Sequence, residues 1–297
     1  MNRLNIDRIP ELKDPWLIAA FVGWPDAGEV ASSSVRYLGK ALGGWKFAEI
    51  EAEEFYNFIK MRPLSRRLSP FQREVIWPTN DFYYCRAAGT DLVLFLGTEP
   101  HLRWTTYISS LMDVARRCNV SRVITLGATY DNVLHTADPW VSGATSIPEM
   151  RQKLENLGVH FVNYQGPTSI HSVILYVCQR QSIPSVSLWG HAPFYIQVSP
   201  NTKSAYGLLN TMSKFMDLRL PLEPLQTAGE ALVEQINNAI AQDPRLASYI
   251  RQIEERIREL RPSPTEVLNP QDVIREAEEF LKRQQGGRSD GQQSQEP

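Results

Sequence analysis

Five short apolar runs of this chain each lead into a glycine-containing loop that carries acids, imidazoles or hydroxyls. They are Gly23-Trp24-Pro25-Asp26-Ala27-Gly28, Gly97-Thr98-Glu99-Pro100-His101, Gly127-Ala128-Thr129-Tyr130-Asp131, Gln165-Gly166-Pro167-Thr168-Ser169 and Trp189-Gly190-His191-Ala192-Pro193. In a parallel sheet the carboxyl ends of the strands share one rim, and open α/β sheets bind their ligands there. Gly23, Asp26, Gly28, Gly97, Glu99, His101, Gly127, Thr129, Gly166, Thr168, Ser169 and His191 therefore form a candidate ligand or interface rim. Carboxylates, imidazoles and hydroxyls converging on one cavity could do acid–base or nucleophilic chemistry.

A second reading assigns the same residues to structure. Glycine after a strand permits a tight turn into a helix. Asp26 and Thr168 are placed to cap helix N-termini, and Gly166–Ser169 could hold an anion at a helix start. His101 and His191 sit beside proline in strand-end loops, where histidines often serve sites. His135 lies in a long loop, as a lid residue or a solvated one, while His160 and His171 fall within a strand and a helix. The geometry decides between the readings. An enzyme needs these groups around one enclosed cavity, whereas a binding module leaves the rim shallow or uses it as an interface with an apolar core.

Specific catalytic signatures are absent from the sequence. It has no GxxxxGK[ST] loop, no GxGxxG turn, no GxSxG elbow and no HExxH pair. We assign no catalytic residue, metal or cofactor. Cys118 and Cys178 fall on apolar helix faces, as inert core thiols do.

Alternating elements must position the rim. Strands are expected at Trp16–Val22, Trp45–Ile50, Asp91–Leu96, Val120–Leu126, His160–Tyr164 and Ser185–Trp189. Helices are expected near 29–42, 104–118, 149–157, 169–179 and 203–216, the second showing apolar Trp104, Tyr107, Ile108, Leu111, Val114 and Ala115 at helical spacing. Glu74–Trp77 and Phe82–Arg86 read as a hairpin around Pro78–Asp81, after a surface excursion over 61–71. A long loop is expected over 129–148. The pattern specifies an α/β fold, a mostly parallel sheet with helices on both faces, followed by a C-terminal helical extension. We divide the chain into an α/β core (1–225), a helical extension (226–283, with a last helix near 271–282) and a disordered tail (284–297).

Composition narrows the class. Over 297 residues, 31 Lys plus Arg against 33 Asp plus Glu leave a net charge of −2, which exerts no general pull on nucleic acid or anionic membrane. Three scattered cysteines form no disulfide framework. The polar N-terminus is unlike a signal peptide and no apolar run is long enough to span a bilayer. These point to a cytoplasmic protein.

Taken in order, seven blocks carry a family resemblance: WLIAAFVGWPDAGEVAS, IEAEEFYNF, Trp77-Pro78, DLVLFLGTEPHLRW, VITLGATYDNVLHTADP, YQGPTSIHSVI and LWGHAPFYIQVSPNTKSAYGLL. Over roughly 14–220 the chain resembles the proteasome assembly chaperone 2 family. The resemblance implies a phosphorylase/hydrolase-like α/β fold, self-association into homo-oligomers, and binding of a protein client such as proteasome α-subunits. The expected function is that of an oligomeric protein-binding or assembly-chaperone-like factor, more a binder than an enzyme. The alternative is a small-molecule-binding protein or enzyme using the rim. The chain ends Ser294-Gln295-Glu296-Pro297, without the hydrophobic-tyrosine-any tail of chaperones that dock into proteasome pockets.

Overall fold

Trp16–Val22 is apolar on both faces, a pattern tolerated only by a strand covered on both sides. In the computed structural model, which describes residues 4–87 and 89–260, this run lies at the middle of the sheet. The helix expected at 271–282 and the tail from 284 lie outside the described residues. In chain order the elements are β1 (Leu4–Ile6), β2 (Trp16–Val22), α1 (Val30–Ala41), β3 (Trp45–Ile50), β4 (Leu64–Ser69), β5 (Gln72–Ile76), β6 (Asp81–Ala87) and β7 (Thr90–Thr98). There follow α2 (Trp104–Arg117), β8 (Arg122–Asp131), β9 (Val141–Ala144), α3 (Pro148–Asn156), β10 (His160–Phe161), α4 (Ile170–Arg180), β11 (Ser185–Pro193), α5 (Thr202–Phe215), α6 (Glu223–Gln242) and α7 (Pro244–Leu260).

Among the described residues the main sheet runs β1-β3-β6-β7-β2-β8-β11-β9-β10. Its centre, β7-β2-β8-β11, is parallel in register, Trp16 lying beside Leu92 and Arg122, and Ser185 beside Val123. β6, β3 and β1 extend one edge by antiparallel pairing. On the other edge β9 is antiparallel to β11 and parallel to β10. Alternating side chains divide the interior into two cores. Ile18, Ala20, Leu94 and Leu126 pack on α1, α3 and α5 through Leu38, Leu154 and Leu208. Leu17, Ala19, Phe95 and Val123 pack on α2 and α4 through Tyr107, Leu111 and Ile174. Helices thus cover both faces, as the pattern of the sequence requires, and α6 and α7 follow as the C-terminal helical extension.

Three expectations are corrected. Glu74–Trp77 does not pair with Phe82–Arg86. β5 turns back onto β4 through Pro70-Phe71, and β6 enters the main sheet between β3 and β7. Pro78–Asn80 is an entry into the sheet, because Asn80 is a buried anchor. Its Oδ1 accepts from the Tyr56 hydroxyl (2.6 Å), the Tyr107 hydroxyl (2.6 Å) and the Thr98 N–H (3.1 Å), and its Nδ2 donates to the Ile50 carbonyl (3.2 Å). The loop expected over 129–148 contains β9, whose Val-Ser-Gly-Ala sequence carries little β propensity. The strand expected at His160–Tyr164 ends at Phe161, and 162–168 runs as an exposed loop.

Candidate functional site

Asp26 sits where β2 turns into α1, buried, with its Oδ1 accepting from the backbone N–H of Ala31 (2.9 Å) and of Ser32 (3.0 Å). These are free donors of the first helical turn, so the carboxylate caps α1 from across the turn Ala27–Glu29. Burial pushes its pKa up, against the pull of those donors. Gly28 has φ +57°, which a side chain tolerates poorly. Its N–H donates to the Tyr130 hydroxyl (3.1 Å), and its carbonyl accepts from Asn201 N–H (2.8 Å), which ties the β2 turn to the start of α5.

Glu99 does the same work for a different helix. Its Oε1 accepts from Ile170 N–H (2.9 Å), the first residue of α4, and burial raises its pKa. The neighbouring Thr168 and Ser169 side chains make no cap; the Thr168 hydroxyl donates to the Ser169 carbonyl (3.3 Å). Gly166 lies against the Tyr164 hydroxyl in the exposed loop before them. Gly23 lies beside Glu99, which receives its place through Glu99 N–H to the Val22 carbonyl (2.8 Å). His101 is drawn away from the other rim groups: its Nδ1 accepts from Asn57 N–H (3.2 Å) and its ring stands edge-on to Tyr56. Thr129 turns its hydroxyl to the Tyr130 carbonyl (3.2 Å). Gly97 and Gly127 are extended residues inside β7 and β8. A Cβ on Gly97 would lie 2.5 Å from the Tyr107 hydroxyl, and one on Gly127 2.8 Å from the Trp189 ring. Their lack of a side chain admits aromatic packing across the sheet.

His191 is the rim residue that enters a chemical constellation. Its Nδ1 lies 2.7 Å from Asp131 Oδ2 and its Nε2 2.8 Å from Ser142 Oγ. Trp140 stacks on its ring at 4.6 Å, and His160 stands edge-on to Trp140 at 5.1 Å. Register explains the meeting: Ser142 on β9 lies opposite Trp189 on β11, and His160 on β10 lies beside Ser142. With a strand period of two, Trp189, His191, Ser142 and His160 share one face. Ser142, Trp140 and His160 were outside the sequence-derived rim. Ser142 belongs to the strand that the sequence pattern hides, so no local signal marks it.

A second polar network closes the neighbouring cleft, which is lined by Val133, Trp140, Asn201, Lys203, Val233 and Ile236 among others. His135 Nδ1 lies 2.8 Å from the Tyr195 hydroxyl and its Nε2 2.9 Å from Asn237 Oδ1 on α6. Lys203 Nζ donates to the His135 carbonyl (2.7 Å), and burial lowers the Lys203 pKa. His171 is different again. It is enclosed between Phe21 and Trp189 with neither ring nitrogen hydrogen-bonded, and burial drives its pKa down to about 3.

Asp26, Ser169 and His191 are buried, while several large apolar side chains face solvent. Trp24 is 68% exposed and Leu102 about half exposed at the ends of β2 and β7. β3 runs parallel to β7, through β6, so the segment after β3 and the hairpin β4–β5 emerge at the same rim. There Ile59, Leu64, Leu68 and Val75 are exposed, Phe71 is fully exposed at the hairpin tip, and Trp77 is exposed beside Phe58 (5.0 Å). Scattered exposed apolar residues are ordinary, whereas these large ones are gathered at one end of the sheet. Among the described residues no group of histidines, cysteines and carboxylates could hold a metal ion, and no helix is long and apolar enough to cross a membrane.

The architecture defines a two-sided α/β protein in which Asp26 and Glu99, at the strand-end rim, cap α1 and α4. A sequence profile of the PAC2 family matches residues 20–240, and the chain belongs to that family. It is similar to a PAC2 family protein of Streptomyces avermitilis, with 34% identity over 80% of this chain and 100% of the other, and a TM-score of 0.72. It is equally similar to a proteasome-assembly chaperone homologue of Mycobacterium tuberculosis, with 34% identity over 79% of this chain and 99% of the other, and a TM-score of 0.72. An archaeal proteasome activator of Pyrococcus furiosus shares the fold, with a TM-score of 0.64 at 19% identity over 80% of this chain and 97% of the other. No curated protein matches the chain in sequence.

Proposed function

We propose that this chain is an assembly-chaperone-like, protein-binding factor that self-associates, acts in the cytoplasm, and holds a proteasome-related protein through the apolar strand-end rim. The observation that carries this reading is the division of the rim. Asp26 and Glu99 are spent on capping α1 and α4, whereas Trp24, Leu102, Phe71 and Trp77 are offered to solvent. On this view Asp26, Glu99 and the glycines of the candidate rim are the scaffold of an interface and not a set of reacting groups. The Mycobacterium tuberculosis relative, named a proteasome-assembly chaperone homologue, supports a proteasome-related client, and proteasome α-subunits are the first candidate. The hairpin β4–β5 supports self-association or client contact equally, because a two-stranded hairpin with both faces wet is marginal alone and is stabilised when covered.

The test is binding of purified chain to purified α-subunits of the same organism, followed by sedimentation, with light scattering on the chain alone. Saturable binding that Trp24→Ser and Phe71→Ser weaken is expected. A monomer that binds no α-subunit overturns the reading.

A further inference from the structure

The group Asp131, His191 and Ser142 has no part in the interface reading and does not depend on it. Its distances are those of a hydrogen-bonded carboxylate–imidazole–hydroxyl chain, 2.7 Å and then 2.8 Å. A carboxylate only accepts, so Asp131 holds the proton of His191 on Nδ1, and Nε2 is left as the acceptor for the Ser142 hydroxyl. That tautomer is the one in which an imidazole can act as base toward a serine. The ring is further held by Trp140, stacked on its face, which leaves both nitrogens free to point along the chain of hydrogen bonds. The three residues come from β8, β9 and β11, three strands of one sheet, so their positions are set by rigid elements and not by a loop.

We propose that Ser142, His191 and Asp131 form an acyl-transfer site for small carboxylic esters. Ser142 Oγ attacks the ester carbonyl carbon while its proton passes to His191 Nε2. The tetrahedral adduct collapses, the C–O bond to the leaving alcohol breaks, and the alcohol takes the proton from Nε2. Water then attacks the acyl-serine carbonyl, again giving a proton to Nε2. The Ser142 Oγ–acyl bond breaks, Ser142 regains its proton and a carboxylic acid leaves. Asp131 keeps its charge throughout and steadies the imidazolium. Ser142 is 5% exposed, and His160, beside it in the β9–β10 register, is exposed. Burial and the nearby His191 hold the His160 pKa down.

The full chain is treated with a fluorophosphonate and, separately, with p-nitrophenyl acetate, and the modified residue is located by peptide mass spectrometry. The expected result is one adduct per chain on Ser142, absent in Ser142→Ala and formed about 100-fold more slowly in His191→Gln, the usual scale of a lost general base. Asp131→Asn slows it by at least about tenfold, because the tautomer reverses. If His191→Gln lowers the melting temperature, the wild-type rate against pH decides: a rise through one ionisation supports the site, and a flat profile overturns it. A folded wild-type chain left unlabelled by millimolar probe, or labelled only elsewhere, also overturns it.

Discussion

Asp26→Ala separates a structural carboxylate from a functional one. In the wild type one oxygen serves two N–H groups of the first turn of α1, at 2.9 and 3.0 Å, in a buried setting. Losing an N-cap costs roughly 1 kcal/mol, up to about 2. Here two buried donors lose their acceptor together, and each orphaned donor costs about 1–3 kcal/mol. Water can enter part of the vacated space, so the expected loss is about 2–3 kcal/mol, or a fall in melting temperature of roughly 3–5 °C for a chain of this size. Asp26→Asn keeps the accepting oxygen and removes a charge that burial penalises, so it should stay within about 1 kcal/mol of wild type. The sign of the pH dependence follows from the same environment. The folded pKa of Asp26 is raised, so its contribution is fully present below the unfolded value near 3.8 and is lost as pH rises through the folded value. Asp26→Asn should therefore flatten that part of the stability profile. Thermal and urea unfolding of the three proteins between pH 3.5 and 7 measure all of this. An Asp26→Ala protein that melts like wild type refutes the capping argument.

Further consequences follow from other buried groups. Asn80→Ala leaves the Thr98 N–H without its acceptor and the Tyr56 and Tyr107 hydroxyls with only the Thr98 carbonyl; urea unfolding should show a loss of about 3 kcal/mol. His171 has a folded pKa depressed to about 3, so its contribution is present above the unfolded value near 6.5 and is lost as pH falls toward 3. His171→Leu should remove up to ~1.4 kcal/mol per pH unit of acid sensitivity in that window, and acid melting curves that coincide with wild type would contradict it. Burial drives the Cys118 and Cys178 thiols up to about 11, so neither should react with maleimide at pH 7 until the chain unfolds, as mass spectrometry of labelled protein would show.

Much of the fold is readable from period and punctuation. β2, β7 and β8 contain apolar runs, and α1, α2, α4 and α5 show one buried stripe each, because burial on a given side leaves a repeating mark in the chain. What is lost is whatever depends on distant partners. Pro78–Asn80 has the composition of a turn, and only the hydroxyls of Tyr56 and Tyr107 make Asn80 an anchor. β9 is four residues with glycine and serine, made a strand by β11 and β10 on its two sides. The same holds for the candidate site. Asp26 as a cap is legible from its place before a helix. Glu99 as a cap is not, since the helix it serves begins 71 positions further on. Gly97 and Gly127 mark sites of aromatic packing, although their position after an apolar run suggests turns.

The proposed function requires the exposed apolar side chains at the strand-end rim to bind a protein. The most direct measurement is the affinity of the purified chain for purified proteasome α-subunits, compared with Trp24→Ser and Phe71→Ser. Burying one such aromatic side chain contributes about 2 kcal/mol, or roughly 30-fold in affinity. The predicted result is saturable binding, weakened by that order in each variant, with melting temperatures unchanged because both side chains are exposed. Absence of binding, or equal binding by wild type and both variants, would contradict the account.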